Sequence, residues 1–180
     1  MNLSTAASFE AADAEPAIEE QLNRLLTANG PALLRLAASY TNTTSDRDDL
    51  FQDIAIALWK ALPKFRGECS ERTFLFRVAH NRAIDYLRRH HEITASIHPD
   101  SPLPDARPNP EAGLAQEQQG ERLRQAIHRL PLPYRQVITL TLEEMSYSEI
   151  AAILGVTETN VGVRLNRARQ LLRQLLENRK

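Results

Sequence analysis

Three groups of polar side chains hold the chemistry this sequence could perform. The first is acidic and compact: Asp48, Asp49, Gln52 and Asp53. Any one of these acids alone reads as the solvated start of a helix, where the helix dipole favours negative charge. Together they read as an acidic docking surface for a protein partner. The second group is Arg77, Asn81 and Arg88, preceded by the basic stretch Lys64–Arg66. Asparagine offers a donor and an acceptor to a base edge, while arginine holds phosphate. The third is Thr159, Val163, Asn166, Arg167 and Gln170, with Arg164 and Arg169 at its margins. Base readers in the centre and phosphate clamps at the edges are what a helix in a major groove requires.

Catalytic constellations are missing by comparison. The sequence has no phosphate loop, no paired catalytic carboxylates and no nucleophile elbow, so the reading is non-enzymatic with no cofactor. Cys69, His80, His90 and His91 lack the spacing of a structural zinc site, so no metal is expected. One cysteine excludes an internal disulfide and fits a reducing cytoplasm. No apolar run reaches membrane-spanning length, and the N-terminus lacks a basic region followed by an apolar one. The expected location is cytoplasmic, without membrane insertion.

Net charge does not point to nucleic acid, because the 180 residues sum to −1. Its distribution does. Lys60–His91 holds eight bases against three acids, and Val161–Lys180 six bases against one. Two basic blocks separated by neutral or acidic chain imply two separate contacts with a polyanion. With 42% hydrophobic and 25% charged residues, the composition is that of a globular chain of one domain or two small ones.

The elements that would position these groups follow from periodicity. Residues 1–16 are small and acidic and read as a disordered lead-in. Helices are predicted from Pro16 to Ala28, ended by Asn29-Gly30, and again from Pro31 through Tyr40. Ser45 and Asp48 suggest a capping box opening the helix to Leu62, with Leu50, Ile54, Leu58 and Ala61 on its apolar stripe and Phe51, Ala55 and Trp59 beside it. Pro63 breaks that helix, and a loop containing Gly67 leads to a helix over Thr73–His90. There Leu75, Ala79, Ala83 and Tyr86 face a core opposite Arg77, Asn81 and Arg88. Five prolines between Pro99 and Pro110 mark a semi-stiff linker over 92–113. Helical spacing resumes at Leu123 and again from Tyr134 to about Glu144. Tyr147–Leu154, Gly155 and the arginine-rich segment beyond have the layout of a helix-turn-helix, with Val161, Leu165, Ala168, Leu172 and Leu175 inward. The fold class expected is all-α: two small helical domains, 17–91 and 114–180, joined by the proline-rich linker.

Three stretches carry a family resemblance: DLFQDIAIALWKAL, FRGECSERTFLFRVAHNRAIDYLRR and LPLPYRQVITLTLEEMSYSEIAAILGVTETNVGVRLNRARQLL. In that order, split by a variable linker, they resemble the small two-domain extracytoplasmic-function (ECF) group of bacterial sigma-70 factors. The resemblance implies a region 2-like domain followed by a region 4-like one. It implies docking of Asp48, Asp49, Gln52 and Asp53 on the clamp helices of the polymerase β′ subunit, with Leu50 and Trp59 mainly core, and a β-flap contact for the second domain. It implies reading of the −10 promoter element by Lys64, Phe65, Arg66 and Gly67, with Asn81 as the base-reading asparagine. Arg77, Arg82, Arg88 and Arg89 would hold the backbone. A base turned out of the stack costs a few kcal/mol, so that loop must form a shaped pocket. The −35 element would fall to Thr159, Val163, Arg164, Asn166, Arg167 and Arg169.

The sequence also departs from the family. Phe74 stands where tryptophan is common, and Gly162 and Val163 replace a usual basic residue and serine, removing a charge and a hydroxyl from the front of the recognition helix. A usual −35 sequence is therefore not expected, and Val163 could meet a thymine methyl. An anti-sigma protein covering these surfaces is the expected regulator. Two other readings stay open here. One is a plain helix-turn-helix repressor or activator, which would bind duplex without polymerase and as a dimer. The other is a catalytic protein, for which no motif speaks.

Overall fold

The structure, a computed structural model, describes residues 4–97 and 115–177. Every regular element among them is helical, in keeping with the all-α expectation. Helices α1 (Ser4–Ala38), α2 (Thr44–Ala61) and α3 (Glu71–Ile97) form the N-terminal half, with one turn of tighter helix at Leu62–Lys64. Helices α4 (Ala115–His128), α5 (Leu132–Leu142), α6 (Tyr147–Leu154) and α7 (Glu158–Glu177) form the C-terminal half. Leu33, Leu36, Leu50, Ile54, Leu58, Leu75 and Phe76 of the N-terminal half and Leu130, Val137, Leu140, Ile150, Val161 and Leu165 of the C-terminal half are fully buried in one core cluster.

Helix α1 corrects the reading of the N-terminus. It runs unbroken through Asn29-Gly30-Pro31 and reaches back to Ser4, so residues 4–16 are helical where a disordered lead-in was expected. A proline inside a helix costs about 3 kcal/mol. Against that, Leu25 lies before the expected break and Ala32, Leu33, Leu36 and Ala37 after it, all buried in one core. Burying each large side chain contributes roughly 1.5–3 kcal/mol, so shared packing outweighs the breaker. Asn29 bonds back to the Leu25 carbonyl at 3.0 Å instead of forming a turn.

Other boundaries move for similar local reasons. Helix α2 is capped by Thr43, whose hydroxyl accepts from the Asp46 amide at 3.1 Å, and not by a Ser45–Asp48 box. Helix α3 opens at Glu71 because the Ser70 hydroxyl accepts from the Thr73 amide at 3.0 Å. It then continues past His90, so residues 92–97 of the expected linker are helical. The remainder, residues 98–114 with all five prolines, lies outside the described residues.

The helix-turn-helix forms as its sequence implies. Ser146 and Glu149 make a reciprocal capping box at the start of α6, and Gly155 ends it at φ +66. The Val156 amide reaches the Ala151 carbonyl at 3.1 Å across that left-handed turn. Val161, Leu165 and Ala168 then face inward from α7 with no exposure at all.

The two halves also touch, and several polar groups meet between them. Arg35 of α1 grips the Glu143 carboxylate with two bonds of 2.7 Å. Arg72 donates to the Glu143 carbonyl at 2.6 Å, and the Thr73 hydroxyl to Glu149 at 3.2 Å. At the C-terminal end of α1, His128 bonds the Ala38 carbonyl and Arg135 the Ser39 carbonyl. Cations and donors from the second half thus satisfy carbonyls that a helix end leaves open.

Candidate nucleic-acid interface

On α2, Leu50 is buried while Asp48, Asp49 and Gln52 are exposed. Asp48 pairs with its neighbour Arg47 at 2.7 Å. Asp53 behaves differently from the others. Its carboxylate takes Arg82 at 3.1 Å and Arg89 at 3.2 Å, both from α3. Two arginines expected to clamp DNA and one acid expected to dock a partner are therefore engaged with each other. Trp59 is also not in the core: it is 42% exposed, and Ile56 is 50% exposed. Positions 49, 52, 56 and 59 recur at helical spacing, so the acidic surface continues into an apolar one. The 52–56–59 spacing signals this, but Ile56 was hidden among apolar neighbours.

The loop before α3 carries Lys64, Arg66 and Gly67 at the surface, with Gly67 at φ +72. Phe65 is half-buried, its ring 4.6 Å from that of Phe74 and tilted by 34°. The aromatic that replaces tryptophan in this region thus anchors the loop on the helix. Asn81 is exposed. Arg88 is 74% exposed and only loosely paired with Asp85, at 3.9 Å. Arg77 is half-buried, with its guanidinium 4.0 Å from the Cys69 sulfur. Leu75, Ala79, Ala83 and Tyr86 face the core as expected, and Phe74 and Phe76 join them.

Directly beside Asn81, His80 points the other way. It is buried, with its Nδ1 3.0 Å from the Tyr40 hydroxyl, and burial pushes its pKa down to about 4. Burial likewise raises the Tyr40 phenol. A neutral imidazole in this contact fixes the register of α3 against α1, which in turn fixes the direction Asn81 faces.

On α7, Thr159, Val163, Asn166, Arg167, Arg169 and Gln170 are exposed and Arg164 is half-buried. All lie on the side opposite Val161, Leu165 and Ala168. Tyr147 at the start of α6 is 43% exposed and Val163 46%. Gly162 lies against the first of these, and an added Cβ there would sit 3.6 Å from the Tyr147 ring. An apolar strip therefore crosses the front of an otherwise polar helix. The Tyr147 part of it had no signal in the periodicity.

A cleft of about 480 Å³ opens between the halves, lined by Leu34, Ala38, Leu123, Ile127 and Leu142 among others. Its walls are mostly apolar, and it belongs to neither basic face. Among the described residues no three His, Cys, Asp or Glu side chains converge as for a metal, and no helix is long and apolar enough to cross a membrane.

Comparison with known proteins gives the family. The family model of sigma-70 region 2 matches residues 25–92, and that of sigma-70 region 4 matches residues 120–172. The RNA polymerase sigma factor NccH of Alcaligenes xylosoxydans xylosoxydans is 33% identical, over 91% of this chain and 97% of that protein. The ECF RNA polymerase sigma factor SigM of Mycobacterium tuberculosis is also 33% identical, over 80% of this chain and 71% of its own length. Among solved structures, CnrH in complex with the cytosolic domain of CnrY aligns with 94% of this chain and 96% of that one, at a TM-score of 0.69 and 29% identity. The chain belongs to the sigma-70 family of RNA polymerase sigma factors, in its extracytoplasmic-function group.

Proposed function

We propose that this sigma factor directs initiation through three surfaces, each assigned to named residues. Asp48, Asp49 and Gln52, with Asp53 behind them, dock on the β′ clamp helices of core polymerase. Lys64, Phe65, Arg66 and Gly67 form the loop that receives an extruded −10 base, and Asn81 reads a base edge. Arg77 and Arg88 hold the adjacent backbone; Arg82 and Arg89 join them when Asp53 releases them. Thr159, Val163, Arg164, Asn166, Arg167 and Arg169 read the −35 element, with the second half against the β flap.

The observation that carries this reading is the placement of Asn81. It stands exposed beside buried His80, on the basic side of α3 and behind a loop that Phe65 pins to Phe74. The working units are residues 17–91 and 114–180, joined by the proline-rich linker. Tethering makes the second DNA contact local once the first is made, so each unit can bind weakly. The protein acts as a non-enzymatic, cytoplasmic factor with an anti-sigma protein as its regulator; the structural relative CnrH is itself described in complex with the cytosolic domain of CnrY.

The test is in vitro transcription with purified core polymerase on genomic DNA. Promoter-specific starts are expected with the wild type. Asn81→Ala should abolish them while leaving binding to core intact. Normal initiation by Asn81→Ala at every promoter the wild type uses would overturn the −10 assignment. A complete absence of specific starts with the wild type, alongside dimeric binding to duplex, would favour a plain helix-turn-helix regulator.

A further inference from the structure

Beyond Arg72, helix α3 carries four arginines, and they are not equivalent. Arg77 and Arg88 share a face with Asn81, because the helical period brings positions 77, 81 and 88 together. Arg82 and Arg89 are two turns apart, about 10 Å along the axis, and lie roughly a quarter turn further round. That quarter turn brings them over α2, where both reach one atom. Asp53 Oδ2 lies 3.1 Å from Arg82 and 3.2 Å from Arg89.

One carboxylate thus offsets two cations, yet neither pair is locked. Both arginines converge on a single oxygen, so neither makes the two parallel bonds of a bidentate fork. All three side chains are partly exposed, which screens their attraction and lets it exchange against another anion. Arg82 is also incompletely served. Its Nε–H is buried and meets no acceptor among the described residues. An open buried donor is costly, so this pose yields to an anion that offers several oxygens at once, as phosphate does.

We propose that Asp53, beyond any part in docking, masks the DNA-binding side of α3: it withholds Arg82 and Arg89 from phosphate and so limits sequence-independent binding of nucleic acid by the free chain. Phosphate contacts carry no sequence information, and each arginine left open strengthens binding to any strand alike. Competing sites are in large excess, and a factor that gripped all of them would be held away from its promoters. With Arg82 and Arg89 withheld, the affinity of the free chain rests more on the base that Asn81 reads. The mask deepens the reading of α3 as the −10 contact and rests on it.

The test measures binding of the full chain to a fluorescently labelled oligothymidylate of about 20 nucleotides, long enough to fill a single-strand groove but without a promoter element. Anisotropy gives the affinity over a series of salt concentrations for four proteins. They are the wild type, Asp53→Ala, Arg82→Gln with Arg89→Gln, and the combination of all three substitutions. The slope of log affinity on log salt counts neutralised phosphates, at about 0.7 each on a single strand. Asp53→Ala should steepen the slope by about 1.4, the value for two further contacts, and strengthen binding at low salt on the order of tenfold. The two arginine substitutions should change little by themselves, since those cations are already withheld. In the triple variant they should cancel the gain, which is the signature of coupled residues. Any contact made by the C-terminal half adds equally to all four proteins and leaves the comparison intact.

If the paired arginine variant loses helicity by circular dichroism, Arg89→Gln alone replaces it, being the more exposed of the two. It should then cancel about 0.7 of the added slope. An Asp53→Ala slope equal to that of the wild type overturns the mask. So do arginine substitutions that by themselves flatten the wild-type slope by about 1.4. Absence of salt-dependent binding in all four proteins overturns the mask together with the placement of DNA on α3. Failure of the mask alone leaves that placement standing, because Asn81→Ala tests it separately in the transcription assay.

Discussion

Acidification should destabilise this protein through His80, and the size of the effect can be worked out. In the folded chain the imidazole is buried against Tyr40, and its pKa is pushed down to about 4 from the ordinary 6.5. Between those values the unfolded chain binds a proton that the folded chain refuses. Stability is therefore fully present above about pH 6.5 and is lost as the pH falls towards 4. The complete loss is about 3 kcal/mol, since each pKa unit is worth about 1.4 kcal/mol. At pH 5 about 2 kcal/mol of it has gone, from a total that for a domain is roughly 5–15 kcal/mol.

The assay is urea unfolding at pH 7.5 and pH 5.0 for the wild type and His80→Gln. Glutamine can still bond the Tyr40 hydroxyl but does not titrate. Carboxylates, and His128, whose pKa is also lowered by burial, contribute to both proteins alike. Between the two pH values the wild type should lose about 2 kcal/mol more than the variant, moving its midpoint by about 1 M urea relative to it. Equal losses in the two proteins would refute the reasoning, because they would mean that His80 is protonated in the fold or solvated in it.

Three further outcomes follow from single positions. Gly155→Ala should lower stability by roughly 1–2 kcal/mol, because φ +66 there disfavours any Cβ, whereas Gly162→Ala should raise it by roughly 0.5–1 kcal/mol, its only near neighbour being the Tyr147 ring at 3.6 Å; thermal melts of the pair should move in opposite directions. Leu50→Ala should cost roughly 2–5 kcal/mol because Leu50 is buried, while Trp59→Ala, at a site 42% exposed, should cost far less and weaken core polymerase binding instead, as read by denaturation and by a pull-down on core. Replacing thymine by deoxyuridine at single −35 positions should weaken duplex binding by up to about fourfold where Val163 meets the methyl, and Val163→Ala should remove that sensitivity; a wild-type protein indifferent to every such replacement would exclude methyl readout.

Helices with a clean apolar stripe were legible in the sequence, and so was the face each one buries. Leu75, Ala79, Ala83 and Tyr86 needed only the period of the helix, and Val161, Leu165 and Ala168 likewise. The first helix of the helix-turn-helix and its closing Gly155 were legible because a left-handed glycine acts locally, whereas the Ser146–Glu149 capping box carried no reading and α7 opens at Glu158, inside the stretch expected as turn. Asn29-Gly30-Pro31 misled because the penalty for a breaker is local, while the burial that overcomes it comes from Leu25 and Leu33 packing on other helices. Trp59 misled for the converse reason. A large aromatic beside an apolar stripe is expected to be buried, but the stripe Leu50–Ile54–Leu58 already fills the interface and leaves Trp59 at its rim.

The Arg35–Glu143 pair shows where such reading stops. Arg35 and Glu143 are 108 residues apart, and each looks like an ordinary charged residue near the end of a helix. Hydrophobic contacts leave a period because many residues of one helix must face the same way. A single bidentate pair leaves none, because one residue from each partner is enough. The same holds for Asp53, whose place in an acidic run suggests a free surface although Arg82 and Arg89 hold it. Polar contacts between distant segments are also the ones that can part without exposing apolar core. The interactions least visible in the sequence are therefore the single polar pairs between distant segments, which must be sought among the unremarkable charges and not along the stripes.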